Sequence, residues 1–240
     1  MKAGLVEMIF IIDRSGSMSG LEDETMGGFN SLIEKQKGEP GEAYVTTVLF
    51  DNEYEVLHDR VALRDVPKMT NAQYWPRGTT ALLDAIGKTV NDVGKRLSET
   101  PEEERPEQVI VVITTDGYEN ASREYSRSKV KEMIERQQKE YSWTFMFLGA
   151  NIDAVAEGRS FGIDERFARN YTASKSGQSK AYSVLGQSMS AMRSYSASNS
   201  RGISSGMSAE ASSSAGYSAG ASYSLEEARE KAAKALDDVE

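Results

Sequence analysis

Near-continuous apolar runs alternate with amphipathic segments along most of the chain. Residues 109–113 are entirely Val and Ile, and residues 5–12 are apolar except for Glu7. Runs of this kind are typical of strands that helices cover on both faces. Apolar residues recur at helical spacing within 21–37 and from 81 to 97, which predicts a helix in each segment. The chain therefore begins as strand, helix, further strands, helix and strand.

Weaker patterns complete the predicted sheet. A short polar turn at 51–52 joins two strand-like segments, so these form a hairpin. Further strands are predicted at 44–50, 55–63, 143–148 and 167–171, and further helices at 128–140, 152–160 and 179–195. This alternation predicts an α/β fold with a Rossmann-like, doubly wound central sheet. We expect the sheet to be mostly parallel, with one antiparallel edge strand and helices on both faces.

Composition divides the chain into three parts. Residues 1–196 form the predicted domain. Residues 197–223 are dominated by Ser, Gly and Ala. Because this segment has few bulky apolar side chains, burial would offset little of the conformational entropy lost on ordering, which predicts a flexible linker. Ser224 and Glu227 fit a capping box, so 224–240 predicts a short C-terminal helix. Its small apolar face leaves open whether this helix docks on the domain, pairs with another chain or stands alone.

Charge and composition narrow the classes of partner. The formal net charge of −9 argues against nucleic acid, because phosphate backbones attract clustered Lys and Arg. Without cysteine the chain has no disulfide, zinc-thiolate site or thiol nucleophile. No stretch approaches the roughly 20 apolar residues of a membrane span, and the apolar run at 5–12 lacks a cleavage pattern. We expect a cytoplasmic protein.

Oxygen-bearing side chains follow the first buried strand. Asp13, Ser15 and Ser17 come directly after it at a spacing of two residues. In an extended loop this spacing places one carboxylate and two hydroxyls on the same side. Loops at the carboxyl ends of strands are where ligands bind in open α/β sheets. The sequence therefore predicts a ligand site in this loop.

Two later loops offer the same chemistry. Thr79 and Thr80 precede a predicted helix, and Asp116 follows the buried strand at 109–113. A few oxygen ligands without His or Cys favour Mg²⁺ or Mn²⁺, while Ca²⁺ remains open. We expect a divalent cation, with Mg²⁺ favoured, where the three loops meet.

The set Asp13-x-Ser15-x-Ser17, then Thr80, then Asp116 resembles the metal-ion-dependent adhesion site of von Willebrand factor A domains, and the resemblance extends over about residues 5–195. Residues 78–85 are similar to the family's Gly-Gly-Thr-Ala-Leu-x-Asp-Ala segment, with Thr79 in place of the second Gly. The ligand is therefore Thr79 or Thr80, and the alignment of the following residues favours Thr80.

The resemblance implies a role for each residue. Ser15 and Ser17 would contact the metal directly, Asp13 and Asp116 directly or through water, and Thr80 in a conformation-dependent way. One metal position would be left to water, which an Asp or Glu carboxylate of a partner replaces. The resemblance thus implies a metal-dependent protein–protein interaction module and not an enzyme. Similar stand-alone bacterial domains are associated with ATPases and stress-response complexes, so we expect an intracellular bacterial setting.

Other functions remain open. The chain could be a structural or assembly subunit whose metal only stabilises the fold. A metal-dependent hydrolase using Ser15 or Ser17 is less favoured, because the sequence contains no Gly-x-Ser-x-Gly elbow. Thr80 could instead cap the helix that begins at Ala81, and Asp116 could brace a turn.

Several nearby residues also have two interpretations. Asp84, Glu119 and Asn120 could support the site through hydrogen bonds, although a solvated surface position is favoured for each. Tyr74 and Trp75 could form a contact rim or pack within the protein. His58, the single histidine, is expected to be structural or exposed.

Overall fold

The computed structural model describes residues 1–207 and 224–239, with side-chain surroundings for 1–198 and 224–239. The strands are β1 (Lys2–Asp13), β2 (Glu42–Phe50), β3 (Tyr54–Ala62), β4 (Pro106–Thr115), β5 (Thr144–Gly149) and β6 (Ala168–Asn170). The helices are α1 (Glu22–Lys37), α2 (Leu82–Glu99), α3 (Arg127–Tyr141), α4 (Ala154–Ser160), α5 (Lys175–Met207) and α6 (Leu225–Leu236).

One sheet organises the described part of the chain. Its strand order is β3-β2-β1-β4-β5-β6. Every neighbouring pair is parallel except β2 and β3, which form the hairpin at one edge. The predicted doubly wound, mostly parallel sheet with one antiparallel edge strand and helices on both faces is therefore confirmed.

Helices bury the two central strands almost completely. From Leu5 onward every side chain of β1 is buried, as are nearly all of those in β4. On one face Phe29 of α1 packs edge-on against Phe10 of β1, with ring centroids 5.3 Å apart. His58 stacks on Phe29 and is buried, so its structural interpretation holds. Within the described residues, no helix combines the length and hydropathy needed to cross a membrane.

The helix that was predicted over 179–195 is longer in the structure. It begins at Lys175 and continues to Met207, so residues 197–207 are helical where the sequence predicted a linker. Extending an existing helix gains one hydrogen bond per residue fixed, so a low apolar content does not stop it. Ala197 is also buried beside Gly41. The rest of the predicted linker, 208–223, lies outside the described residues.

The C-terminal helix α6 docks on the domain. Its capping box forms, since Glu227 N donates to Ser224 Oγ at 3.1 Å and Ser224 N donates to Glu227 Oε2 at 2.6 Å. Its small apolar face packs against α5, and Ser188 Oγ of α5 donates to Ala232 O at 2.9 Å. An ion pair between Arg166 and Glu226 lies at 2.7 Å. The docking that the sequence left open is therefore resolved.

A pair of adjacent glycines tests the packing of α1 against α5. A Cβ at Gly28 would lie 2.5 Å from the Tyr182 ring, whereas a Cβ at Gly27 would meet nothing within 4 Å. We expect Gly28→Ala to destabilise the fold by about 1–3 kcal/mol through overpacking. Gly27→Ala should stabilise it by about 0.5–1 kcal/mol through helix propensity. Urea unfolding measures both, and equal effects at the two positions would contradict this packing.

Candidate metal centre

The carboxyl ends of three parallel strands bring the predicted ligands together. Asp13 ends β1 and pairs in register with Phe50 at the end of β2, while Thr114 of β4 pairs with Ile12. Asp116 directly follows β4. We call this side of the sheet, with the loops that leave it, the carboxyl edge. Every predicted ligand lies there.

A chain of short hydrogen bonds links four of the five predicted ligands. Asp13 Oδ1 accepts from Ser15 N at 2.6 Å, and Asp13 Oδ2 accepts from Thr115 Oγ1 at 2.5 Å. The hydroxyls of Ser15 and Ser17 lie 3.0 Å apart. Ser17 Oγ donates to Asp116 Oδ1 at 2.5 Å. Two carboxylates and two hydroxyls therefore converge within one small volume.

Thr80 completes the group from the second loop. A Cβ built on Gly117 would lie 3.7 Å from Ser17 Oγ and 3.8 Å from Thr80 Oγ1, so both hydroxyls face the same glycine. Thr80 is buried and Thr79 is exposed, an arrangement that favours Thr80 as the ligand. Thr80 also does not cap α2, whose N-cap residue is Ala81. The capping alternative for Thr80 is therefore wrong.

Burial perturbs both carboxylates. Desolvation raises the pKa of Asp13 to about 6 despite hydrogen bonds from Thr115 and Ser15, and the nearby charge of Asp116 adds to the rise. Desolvation also raises the pKa of Asp116, opposed by the hydrogen bond from Ser17. Ionising both groups is costly here unless a positive charge lies between them.

The donor set fits a hard divalent cation. Carboxylates and hydroxyls are the oxygen ligands that Mg²⁺ and Mn²⁺ take, with water filling the remaining positions. Among the described residues there is no cluster of three or more His, Cys, Asp or Glu side chains that could hold a metal. A cation bound here would therefore depend on hydroxyls for much of its protein coordination.

A buried acid that the sequence indicated only as part of a turn connects two ligand loops. Asp51 is fully buried, and its Oδ2 accepts from Arg14 Nε at 2.8 Å and Arg77 Nε at 2.9 Å. Its carbonyl oxygen accepts from Ala81 N at 2.8 Å. Arg14 belongs to the first loop, whereas Arg77 and Ala81 flank Thr80 in sequence. Asp51 thus fixes the distance between these two loops.

Three other polar residues hold the second and third loops. Glu119 accepts from Leu83 N at 2.8 Å, which caps the start of α2. Asn120 Oδ1 accepts from Thr80 N at 2.9 Å. Asp84 accepts from three successive backbone amides at 123–125. The favoured interpretation as solvated surface is therefore wrong for the partly buried Asp84 and Glu119, whereas Asn120 is exposed and still bonds to Thr80. An acid in the first turn of a helix was a usable signal for Asp84.

The two aromatic residues before Thr80 have different environments. Tyr74 is buried, and its hydroxyl donates to Asp13 O at 2.8 Å. Trp75 is 42% exposed. Its ring lies beside the guanidinium groups of Arg77 and Arg14, at 5.0 Å and 5.7 Å from the centroid. Tyr74 therefore packs within the protein, whereas Trp75 is available at the surface.

The Asp51 contacts predict a loss of metal affinity without loss of a ligand. We expect Asp51→Asn to weaken cation binding by about 10–100-fold, the usual effect of removing a group that orients ligands. It should also cost about 3 kcal/mol of stability, the lower end for breaking a buried ion pair, because Arg14 loses its buried partner and keeps only Glu55, whose side chain is 43% exposed. Calorimetry and urea unfolding measure the two effects.

The matched control for this prediction is Glu53→Gln. Glu53 pairs with Arg77 at 2.7 Å, but its side chain is 66% exposed, so the pair contributes at most about 1 kcal/mol. Equal losses of metal affinity in the two variants would contradict the role assigned to Asp51.

Burial of Asp13 predicts an unusual pH dependence in the metal-free protein. Its pKa is about 6 in the folded state and 3.8 as the ordinary value, so the folded state binds more protons between these limits. Stability should therefore rise as the pH falls through 6, by a total on the order of 3 kcal/mol. Thermal unfolding in a chelator from about pH 8 to about pH 5 measures the first part of this rise, about 1.4 kcal/mol for one pKa unit. Asp13→Asn cannot ionise and should lack this part of the rise, and identical pH profiles would contradict the prediction.

Solved structures with the same architecture are known. The mussel byssus protein PTMP1 with a zinc-occupied MIDAS motif has a TM-score of 0.55 and 19% identity, over 77% of this chain and 45% of that one. Manganese-loaded TRAP from Plasmodium vivax has a TM-score of 0.52 and 18% identity, over 71% and 70%. A von Willebrand factor type A protein from Catenulispora acidiphila has a TM-score of 0.53 and 14% identity, over 78% and 42%.

These likenesses concern the fold. The matched region is less than half of the mussel protein's length. No family model and no curated protein matches the sequence. The three structures match this chain in overall fold, with TM-scores between 0.52 and 0.55. The chain therefore has the fold of a von Willebrand factor A domain.

Proposed function

We propose that this chain is a metal-dependent protein–protein interaction module. Asp13, Ser15, Ser17, Thr80 and Asp116 bind a divalent cation, and the cation binds an Asp or Glu carboxylate of a partner. The observation that carries this proposal is the convergence of two carboxylates of raised pKa with hydroxyl groups at the carboxyl edge. Two solved structures with the same fold are described as zinc-occupied and manganese-loaded, which supports a cation site.

The protein groups have separate tasks in this function. Asp13 and Asp116 ionise when the cation is present and supply the negative charge. The hydroxyls of Ser15, Ser17 and Thr80 supply neutral oxygens, and Asp51 and Glu119 hold their loops at the required spacing. The bound cation supplies a positive charge that a partner's carboxylate can reach. We propose Mg²⁺ as the physiological cation because its preferred ligands are hard oxygens and water.

The proposal does not include catalysis. His58, the only histidine, is buried beside Phe29 and Thr47, so it is not placed to activate a serine of the site. Ser17 donates instead to Asp116, whose pKa is raised by burial. A cytoplasmic bacterial setting and a partner in an ATPase or stress-response complex are part of the same proposal. The alternative, a structural subunit in which the metal only stabilises the fold, makes a different prediction.

Substitutions in one loop test the cation site. We expect Asp13→Asn and Ser17→Ala to lower Mg²⁺ and Mn²⁺ affinity by at least about 10-fold, because each removes a metal ligand. Ser19→Ala is the matched control, since Ser19 lies in the same loop but is exposed and donates to Gly16 O. Calorimetry on variants with native circular dichroism gives the affinities. Undiminished binding in Asp13→Asn would reject the site.

A second measurement separates the two functions. Metal-loaded protein is titrated by NMR with the capped peptide Ac-Gly-Glu-Gly-NH2 and with its glutamine counterpart. The interaction module should bind only the glutamate peptide and only with metal present. A cation that raises the melting temperature without any peptide binding would support the structural alternative instead.

A further inference from the structure

Two exposed aromatic residues are sequence neighbours of residues at the proposed cation position. Among the described residues the exposed large apolar side chains are Met1, Val56, Trp75, Tyr118 and Tyr141. Trp75 directly follows Tyr74, whose hydroxyl contacts Asp13 O. Tyr118 directly follows Gly117, which lies between Ser17 and Thr80. Each aromatic residue is therefore one position away from a residue that touches a proposed ligand.

Both side chains are held in place before any partner arrives. Trp75 lies beside the guanidinium groups of Arg14 and Arg77, and both of these donate to the buried Asp51. The hydroxyl of Tyr118 accepts from Asp153 N at 3.3 Å. Fixed aromatic side chains lose little conformational entropy on binding, which makes them effective anchors. Trp, Tyr and Arg are also the residues in which binding energy concentrates at protein interfaces.

Charged side chains near the proposed cation position restrict which side chains of a partner can bind beside the metal-bound acid. Glu53, with a side chain 66% exposed, and the exposed Asp153 lie on the same carboxyl edge. A second acid in the partner would meet these carboxylates and be repelled. Trp75 already has two cations beside its ring, so a partner cation gains little there. The two exposed rings themselves offer apolar contact area, which apolar neighbours of the metal-bound acid would match.

We propose that Trp75 and Tyr118 form a docking surface for a partner segment in which a single Asp or Glu is flanked by apolar side chains. This inference rests on the proposed function, and it names the kind of partner. The acid reaches the cation, and its apolar neighbours cover the two rings. Apolar contact then adds affinity and selects among carboxylates that the metal alone would bind equally.

Four peptides and three variants test the inference. Metal-loaded protein is titrated by NMR with Ac-Gly-Leu-Glu-Leu-Gly-NH2 and with peptides carrying Gly, Glu or Lys in place of Leu. We expect the Leu-flanked peptide to bind at least about 5-fold more tightly than the others. Trp75→Ala and Tyr118→Ala should each remove most of that advantage. Their metal affinity, measured by calorimetry, should stay at the wild-type value because neither residue is a ligand.

Tyr141→Ala is the matched control. Tyr141 is 52% exposed, the same fraction as Tyr118, but it ends α3 just before β5 begins, at the edge of the sheet opposite the carboxyl edge. Its substitution should leave all four affinities unchanged.

Equal binding of the Leu- and Gly-flanked peptides, or tightest binding of the Lys-flanked one, would overturn the inference while leaving the proposed function intact. A dimer in light scattering that Trp75→Ala disrupts would overturn it in favour of a second copy of this chain. If no glutamate peptide binds, the proposed function fails as well.

Discussion

The arrangement at the carboxyl edge depends on a carboxylate that the protein buries without giving it a cation. Asp13 is fully buried, and its hydrogen bonds come from Thr115 and Ser15, neither of which carries a charge. Arg14, its sequence neighbour, directs its guanidinium towards Asp51 and Glu55. The charge of Asp13 is therefore stabilised incompletely, and either a proton or a metal ion can supply what is missing. The central strands β1 and β4 keep this group in place.

Acidic side chains around the site perform two different tasks. Asp13 and Asp116 lie close enough for their charges to interact, and neither is paired with a cationic side chain of the described residues, so both remain available to a cation. A second group of acids accepts hydrogen bonds from arginine side chains and from backbone amides of the neighbouring loops. These acids are Asp51, Asp84 and Glu119. Loops have few backbone partners of their own, so these contacts replace the hydrogen bonds that a regular element would provide. The contacts of Asp51, Asp84 and Glu119 therefore hold the ligand loops in position.

The sequence predicted the layers of the fold because its buried strands are long and continuous. The five residues that the sequence predicted as metal ligands lie close together in the structure, and their binding of a cation stays a prediction. The sequence did not reveal the role of Asp51, because a residue at a hairpin turn carries no local sign of a contact with Arg14 or Arg77. The extent of α5 was missed because low apolar content was taken as a stop signal, whereas helix propagation needs little burial. The docking of α6 depends on tertiary contacts that local patterns do not encode.

The hydroxyl-rich composition of the site has a consequence for charge balance. Two carboxylates neutralise a divalent cation, and the other proposed ligands, Ser15, Ser17 and Thr80, are uncharged. A third carboxylate from the same chain would make the complex anionic and would compete with any acid arriving from outside. Because the chain supplies no third carboxylate, the proposed cation complex carries no net charge. Under the proposed function, a partner's carboxylate then approaches a neutral complex instead of an anionic one, so repulsion does not prevent it from replacing water on the cation.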